Sequence, residues 1–289
     1  MSAVVYLNGS FVPVGEARIG VRNGGWLHGA GLFETMRAEH GRVFRVEKHL
    51  DRLIASAEKL LVPVDRGRLP GAQAFGELLE RNGLARARVR LTVSAGDVLE
   101  AVEGEARALT VCATSSALEG YPESRYAAGV TAMLSRHRQS AYDPLAGHKT
   151  TSYLPRLVAL KEAHEAGCAE ALWFTPENLL AEGSISNVFV VSGGEVVTPP
   201  TGTPVLPGIA RQVVLELCGG AGRPVREGKI DINGLLDADE VFLTNAILQV
   251  MPVTRIEKHR IGDGKPGPVT RDLRERFRAC VERECGGDG

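Results

Sequence analysis

Residues 179–189 read Leu-Leu-Ala-Glu-Gly-Ser-Ile-Ser-Asn-Val-Phe. One carboxylate, Glu182, stands among apolar and small residues, and a β-type run begins at Asn187. A carboxylate in such company is either partnered inside the fold or exposed at a turn, because burying it unpaired is costly. The local sequence leaves both readings open. Outward from this stretch, residues 171–175, 187–191 and 195–198 predict short strands separated by Pro176-Glu177-Asn178 and Ser192-Gly193-Gly194 turns. Strands are also expected at 130–134 and 240–244. Helices are expected at 154–166, amphipathic and closed by Gly167, at 209–217 after Pro207-Gly208, and at 270–284.

Toward the N-terminus the pattern changes. Val4–Leu7, Asn8-Gly9 and residues 11–14 predict a hairpin whose Asn-Gly suits a type I′ turn. Residues 49–61 place Leu50, Leu53, Ile54, Ala57, Leu60 and Leu61 on one helical face, with Pro63 as a stop. A second helix is expected at 71–82 and strands at 87–94 and 108–113. The polar, Gly- and Pro-containing stretch SSALEGYPESR at 115–125 suits a linker. The expected organisation is a small α+β domain at 1–115, a linker at 116–128 and a larger domain at 129–289. No internal repeat or low-complexity segment interrupts it.

At 289 residues the chain can bury a core without a disulfide or metal staple. Its 34 basic and 35 acidic residues leave a formal charge of -1, which gives no electrostatic footprint for nucleic acid or an anionic membrane. Five cysteines with no CxxC pair imply neither a disulfide framework nor a zinc site, and no metal is expected. No signal peptide or membrane-spanning run is read. The compartment expected is the cytoplasm.

The basic residues are mostly arginine, so few amines are available for chemistry. Lys48, Lys59, Lys161, Lys229, Lys258 and Lys265 lie on charged helix faces or in turns and read as solvated. Lys149 lies in Ala146-Gly147-His148-Lys149-Thr150-Thr151, a small-residue segment just before an apolar helix. An amine held where a loop meets a core is a candidate nucleophile, although a surface role fits the segment too. Leu206-Pro207-Gly208-Ile209-Ala210-Arg211 opens a helix whose free N–H groups suit an anion, or simply begin the helix. Arg52 is either a surface charge or a phosphate ligand. An amine, an acid and two phosphate anchors together meet the needs of pyridoxal phosphate.

Six blocks carry a wider resemblance. They are His28-Gly29-Ala30-Gly31-Leu32-Phe33-Glu34-Thr35-Met36-Arg37, His49-Leu50-Asp51-Arg52-Leu53, Lys149, Glu182-Gly183-Ser184…Asn187-Val188-Phe189, Leu206 to Arg211, and Thr244-Asn245-Ala246…Pro252-Val253. In this order, nearly end to end, they resemble the class IV, fold-type IV pyridoxal-phosphate family. That family includes branched-chain and D-amino-acid aminotransferases and aminodeoxychorismate lyases. The resemblance implies a two-domain α+β fold: a small α+β sandwich domain, a larger pseudo-barrel α/β domain, and a homodimer. It implies that Lys149 is the Schiff-base lysine and proton shuttle, and that Glu182 pairs with the pyridine nitrogen. Arg52 and the backbone amides of Gly208, Ile209, Ala246 and Ile247 would bind phosphate, and Tyr153 would approach the cofactor's phenolate oxygen.

His28, Phe33, Arg37 and Arg90 are candidate substrate residues, with Arg136 and Arg138 as further carboxylate candidates; Arg37 and Arg90 are expected on adjacent strands. Tyr153 stands one residue closer to the lysine than in branched-chain enzymes, and Ala246 replaces a Thr common in aminotransferases. The lyases' Leu-Asn-Arg after the lysine is absent, since the chain reads Thr150-Thr151-Ser152-Tyr153. The expected activity is transfer of an amino group between an amino acid and a 2-oxo acid. The alternative is a lyase releasing pyruvate and p-aminobenzoate. A non-enzymatic cofactor carrier is disfavoured, because carriage alone would not need the pyridinium acid.

Overall fold

Asn8 and Gly9 both adopt positive φ, 49° and 94°, which a type I′ turn requires. They join β1 (Val4–Leu7) to β2 (Ser10–Pro13) as the expected antiparallel hairpin. The computed structural model describes residues 3–96 and 109–286, and it divides into two units. The first comprises Met1–Glu119, His148–Tyr153 and Val281–Gly289. After the hairpin come α1 (Gly24–His28), β3 (Gly31–Glu39), β4 (Arg42–Val43), α2 (Val46–Lys59), α3 (Ala72–Arg81), β5 (Ala87–Ser94) and β6 (Thr110–Ala117). The strands form one antiparallel sheet ordered β2-β1-β6-β5-β3-β4.

Alternation on the sheet decides which side chains meet the helices. Leu32, Met36, Val89, Leu91 and Val93 face Leu50, Leu53, Phe75, Leu78 and Leu79 of α2 and α3 in one core. Phe33, Thr35 and Arg37 on β3, with Arg88, Arg90 and Thr92 on β5, take the other face. Their register is Phe33↔Thr92, Thr35↔Arg90 and Arg37↔Arg88, so the expectation of adjacent strands for Arg37 and Arg90 is met.

The second unit comprises Gly120–Gly147 and Leu154–Cys280. It holds α4 (Glu123–Ala128), β7 (Val130–Arg138), α5 (Leu154–Glu165), β8 (Glu170–Phe174), β9 (Leu180–Gly183), β10 (Asn187–Ser192) and β11 (Glu195–Thr198). These are followed by α6 (Ile209–Gly220), β12 (Val225–Glu227), α7 (Ile232–Leu236), β13 (Glu240–Asn245), β14 (Gln249–Ile256), β15 (His259–Arg260) and, up to Cys280, α8 (Pro268–Cys285). Its nine strands run β12-β11-β10-β13-β14-β7-β8-β9, with β15 on β14. The β14–β7 and β7–β8 pairs are parallel, and α5 lies in the β7-to-β8 connection. Phe174, Val188, Leu243, Met251 and Val253 share the main core of this unit.

Several expectations are corrected in detail. The strand expected at 108–113 runs from Thr110 to Ala117, with Ala108 outside the described residues. Much of the expected 116–128 linker is ordered structure, since α4 fills Glu123–Ala128. Segments 148–153 and 281–289, which the sequence suggests are parts of the second domain, group with the first unit. A bridge between Leu32 and Thr150 ties in the former. The latter is tied by His40–Glu282 at 2.6 Å and Arg45–Glu284 at 3.0 Å. Helix α5 buries only Ala159 and Ala163, against Cys168, Ala171 and Trp173. Small residues let it approach β8 closely, and Leu154, Leu157 and Val158 remain exposed.

Candidate active site

Lys149 is fixed through its backbone. The Phe33 N–H donates to the Lys149 carbonyl at 2.8 Å, and the Thr151 N–H donates to the Gly31 carbonyl at 2.8 Å. Gly31 must be glycine: a Cβ there would lie 2.8 Å from the Val93 carbonyl and 3.0 Å from Thr151 Oγ1. The Lys149 ammonium lies 4.2 Å from the Phe33 ring centroid and 5.5 Å from that of Tyr153. The two rings meet edge to face at 5.2 Å. Arg90 places its guanidinium 3.8 Å from the Phe33 centroid. Phe33 thus gathers two cations on its π system, an electrostatically favourable arrangement.

This cluster brings together four of the residues singled out in the sequence: Lys149, Tyr153, Phe33 and Arg90. Arg37 shares the sheet face but is buried and held by Glu39, with Nε donating to Oε1 at 2.8 Å. His28 ends the short helix α1 and is exposed. Arg136 and Arg138 lie at the end of β7 in the second unit.

Arg52 lies on α2 and faces Glu34, on the core side of β3. Its Nε donates to Glu34 Oε1 at 2.9 Å and its Nη2 to Oε2 at 2.5 Å. His49 Nδ1 stands 2.7 Å from the same carboxylate. Glu34 is 1% exposed. Burial by itself would raise its pKa, but the Arg52 guanidinium and then His49 overcome this and hold it at about 2. Burial pushes the His49 pKa down in spite of Glu34. The arginine expected to meet phosphate is therefore held at its Nε and Nη2 by an ionised carboxylate. Glu34 and His49 are not singled out as site residues by the sequence. A signal for them exists: Glu34 has the core parity of β3, and His49 and Arg52 are one helical turn apart.

In the second unit the two readings of Glu182 are resolved, because the residue is 2% exposed and fully partnered. Oε1 accepts from Arg156 Nη2 at 2.5 Å and Gln139 Nε2 at 3.1 Å. Oε2 accepts from the Leu206 N–H at 2.9 Å and Asn187 Nδ2 at 3.3 Å. The following turn rests on Glu170, which accepts from the Ser184 N–H at 3.0 Å, the Ile185 N–H at 3.3 Å and Ser186 Oγ at 2.7 Å. Burial lifts the Glu170 pKa to about 6 against the pull of these bonds. The sequence singles out none of Arg156, Gln139 and Glu170. Arg156 reads as an ordinary helix charge until its partner is known.

Gly208 precedes α6, and no side chain caps that helix. A Cβ on Gly208 would run into Asn187 Oδ1, so the residue is glycine to let the chain pass. Ala246 sits half-buried between β13 and β14. Beside it, Asn245 Oδ1 accepts from the N–H groups of both Ile247 and Leu248 at 2.8 Å. The Ile247 amide is thus already engaged, and a phosphate there would compete with Asn245. Among the described residues no cluster of metal-ligating side chains occurs, and no helix is long and apolar enough to cross a membrane.

Residues 31–256 match the family model described as Amino-transferase class IV. A putative branched-chain-amino-acid aminotransferase of Methanocaldococcus jannaschii is 31% identical, covering 95% of each chain. A D-alanine aminotransferase of Listeria monocytogenes is 29% identical over 98% of this chain and 97% of its own. Among solved structures, a T.th. branched-chain amino acid aminotransferase with pyridoxamine 5'-phosphate superposes with a TM-score of 0.89 at 28% identity. That match covers 98% of this chain and 95% of the other. The two-domain fold-type IV architecture expected from the sequence is borne out by these neighbours, and the chain belongs to the class IV aminotransferase family.

Proposed function

We propose that this protein is a pyridoxal 5'-phosphate-dependent aminotransferase that moves an amino group between an amino acid and a 2-oxo acid. The observation that carries the reading is the backbone-locked Lys149, with its amine against Phe33 and Tyr153, in a chain of this family. Bound pyridoxal phosphate supplies an electron sink that lets the α-proton of an amino acid leave. The chain's own residues fit that group. Lys149 is an amine beside an apolar ring, and Glu182 is a buried carboxylate. The amino end of α6 carries no side-chain cap, beside a glycine that admits no Cβ.

Lys149 would hold the cofactor and then carry the proton, while Glu182, whose two oxygens already take four donors, would keep a proton on the ring nitrogen once one of them, such as Asn187 at 3.3 Å, yields. Arg52, oriented by Glu34, and the amides of Gly208, Ile209 and Ala246 would hold phosphate, with Ile247 joining only if Asn245 yields. Tyr153 would meet the phenolate side. Arg90 is the preferred partner for a substrate carboxylate, because Arg37 is already held by Glu39; Phe33 and His28 would border the substrate. Exposed apolar groups on each unit, such as Trp26 and Val21 on one and Leu154 and Leu157 on the other, support a homodimer. Five free cysteines accord with a reducing, cytoplasmic compartment.

The relatives' names span branched-chain and D-alanine substrates, so the test is a panel. Purified protein with pyridoxal phosphate is assayed with L- and D-amino acids and 2-oxoglutarate or pyruvate, beside aminodeoxychorismate. Transfer to a 2-oxo acid is expected. Release of pyruvate and p-aminobenzoate from aminodeoxychorismate, without any transfer, would overturn the aminotransferase reading in favour of the lyase.

A further inference from the structure

Arg156 occupies the first turn of α5 and grips the Glu182 turn in two ways. Its Nη2 donates to the carboxylate at 2.5 Å. Its Nη1 donates to the carbonyls of Gly183 at 3.2 Å and Ser184 at 3.4 Å. One planar fork therefore fixes the side chain relative to its own backbone, which a flexible ammonium could not do. Trp173 adds to the hold: its indole N–H donates to Ser184 Oγ at 3.0 Å, and its ring centroid lies 5.8 Å from the Arg156 guanidinium.

The opposite side of the turn is held by the opposite charge. Glu170 takes the amides of Ser184 and Ile185 and the hydroxyl of Ser186, while Arg156 takes carbonyls. Each ion meets the backbone groups that complement it. Gly183 lies between them with no space for a Cβ, which would fall 2.8 Å from the Glu170 carboxyl carbon. Of the four donors on the Glu182 carboxylate, only the guanidinium is charged. A charge-assisted bond is stronger and more directional than its neutral neighbours, so Arg156 sets the carboxylate plane more than Gln139, Asn187 or the Leu206 amide does.

We propose that Arg156 is a positioning residue for Glu182, clamping its carboxylate and turn against Glu170 so that the acid presents a fixed direction to the ring nitrogen it serves. This rests on the reading of Glu182 as the acid at that nitrogen. The cost of losing the clamp falls on the chemical step, since a misdirected group reacts slowly even when everything binds.

The test compares wild type, Arg156→Met and Arg156→Lys, each reconstituted with pyridoxal phosphate. Cofactor Kd, the absorption spectrum of bound cofactor across pH, kcat and KM are measured for each. Arg156→Met is expected to lose ~10- to 100-fold in kcat, with cofactor Kd and KM within about threefold and a changed spectral titration. Arg156→Lys keeps the charge but not the fork and should fall between the two. It also keeps the test decisive if the Met variant does not fold. Wild-type kcat and spectrum in either variant would overturn the proposal, as would a kcat loss that merely tracks lost cofactor. A wild-type protein that takes up no pyridoxal phosphate would overturn the function reading itself, and this inference with it.

Discussion

Glu34 and Glu170 are two glutamates with the same burial and opposite behaviour. Each is at most 2% exposed, yet the first is held at a pKa of about 2 and the second rises to about 6. Burial disfavours the charged form of both. What differs is the partner. Glu34 has a guanidinium in two-point contact and a histidine behind it. Glu170 has backbone N–H groups and one hydroxyl, which lower its pKa without reversing the effect of burial. A full positive charge overcomes desolvation here, and dipoles alone do not. The two arrangements also serve different ends: Glu34 aims an arginine, and Glu170 holds a turn.

Removing the cation has the largest expected effect. Arg52→Ala leaves Glu34 buried without its guanidinium, which should cost about 3–5 kcal/mol in urea unfolding. It should also weaken pyridoxal phosphate binding. Glu34→Gln in the same chain should restore part of the stability but not the cofactor affinity. A single variant that unfolds like wild type would mean that Glu34 relaxes to water and the pairing contributes little.

The two carboxylates respond oppositely to pH. Glu34 has a folded pKa below its ordinary value of 4.5, so its stabilisation is present above 4.5 and lost as pH falls toward 2. The loss is on the order of 3 kcal/mol. Glu170 has a folded pKa above 4.5, so its contribution is fully present below 4.5 and lost as pH rises through 6. That change is on the order of 2 kcal/mol in the opposite direction. Unfolding free energies measured from pH 4.5 to 7 should show this component in wild type, and Glu170→Gln should abolish it. An identical pH slope in the two proteins would contradict the assignment.

Two smaller effects bound the picture. Gly183→Ala forces a methyl toward the Glu170 carboxyl group and should cost about 1–3 kcal/mol by overpacking; a wild-type Tm would show that the turn can yield. The Glu77–Arg81 pair on α3, at 2.5 Å with both side chains 40–50% exposed, is the solvated counterpart of Glu34–Arg52. Glu77→Gln should change stability by less than about 0.5 kcal/mol. A larger loss would mean that burial is not what separates the two pairs.

Local patterns make much of the fold legible. Asn8-Gly9 marks the hairpin, the leucine spacing of 50–61 marks α2, and alternation at 87–94 marks β5 over its full observed length. The same patterns miss β14, because Pro252 lies within it and a proline argues against an inner strand. There it pairs in register with Phe242. For α5, apolar composition suggests a buried face, whereas its contacts run through Ala159 and Ala163. Among the candidate residues, those carrying unusual local chemistry are visible: Lys149 in its small-residue loop and Glu182 among apolar neighbours. The residues that brace Arg52 and Glu182 are not. Glu34, Glu170 and Arg156 act through partners distant in sequence, at separations of 18 for Glu34–Arg52 and 26 for Arg156–Glu182. Ordinary charges in ordinary elements give no local sign of such pairings.

Lys149 is the amine proposed to hold the cofactor. Protein loaded with pyridoxal phosphate is reduced with borohydride, digested, and its labelled peptide identified by mass. One labelled site is expected, Lys149, with the label absent from Lys149→Ala. A label on Lys161 or Lys48 instead, or equal labelling of the Lys149→Ala protein, would contradict it.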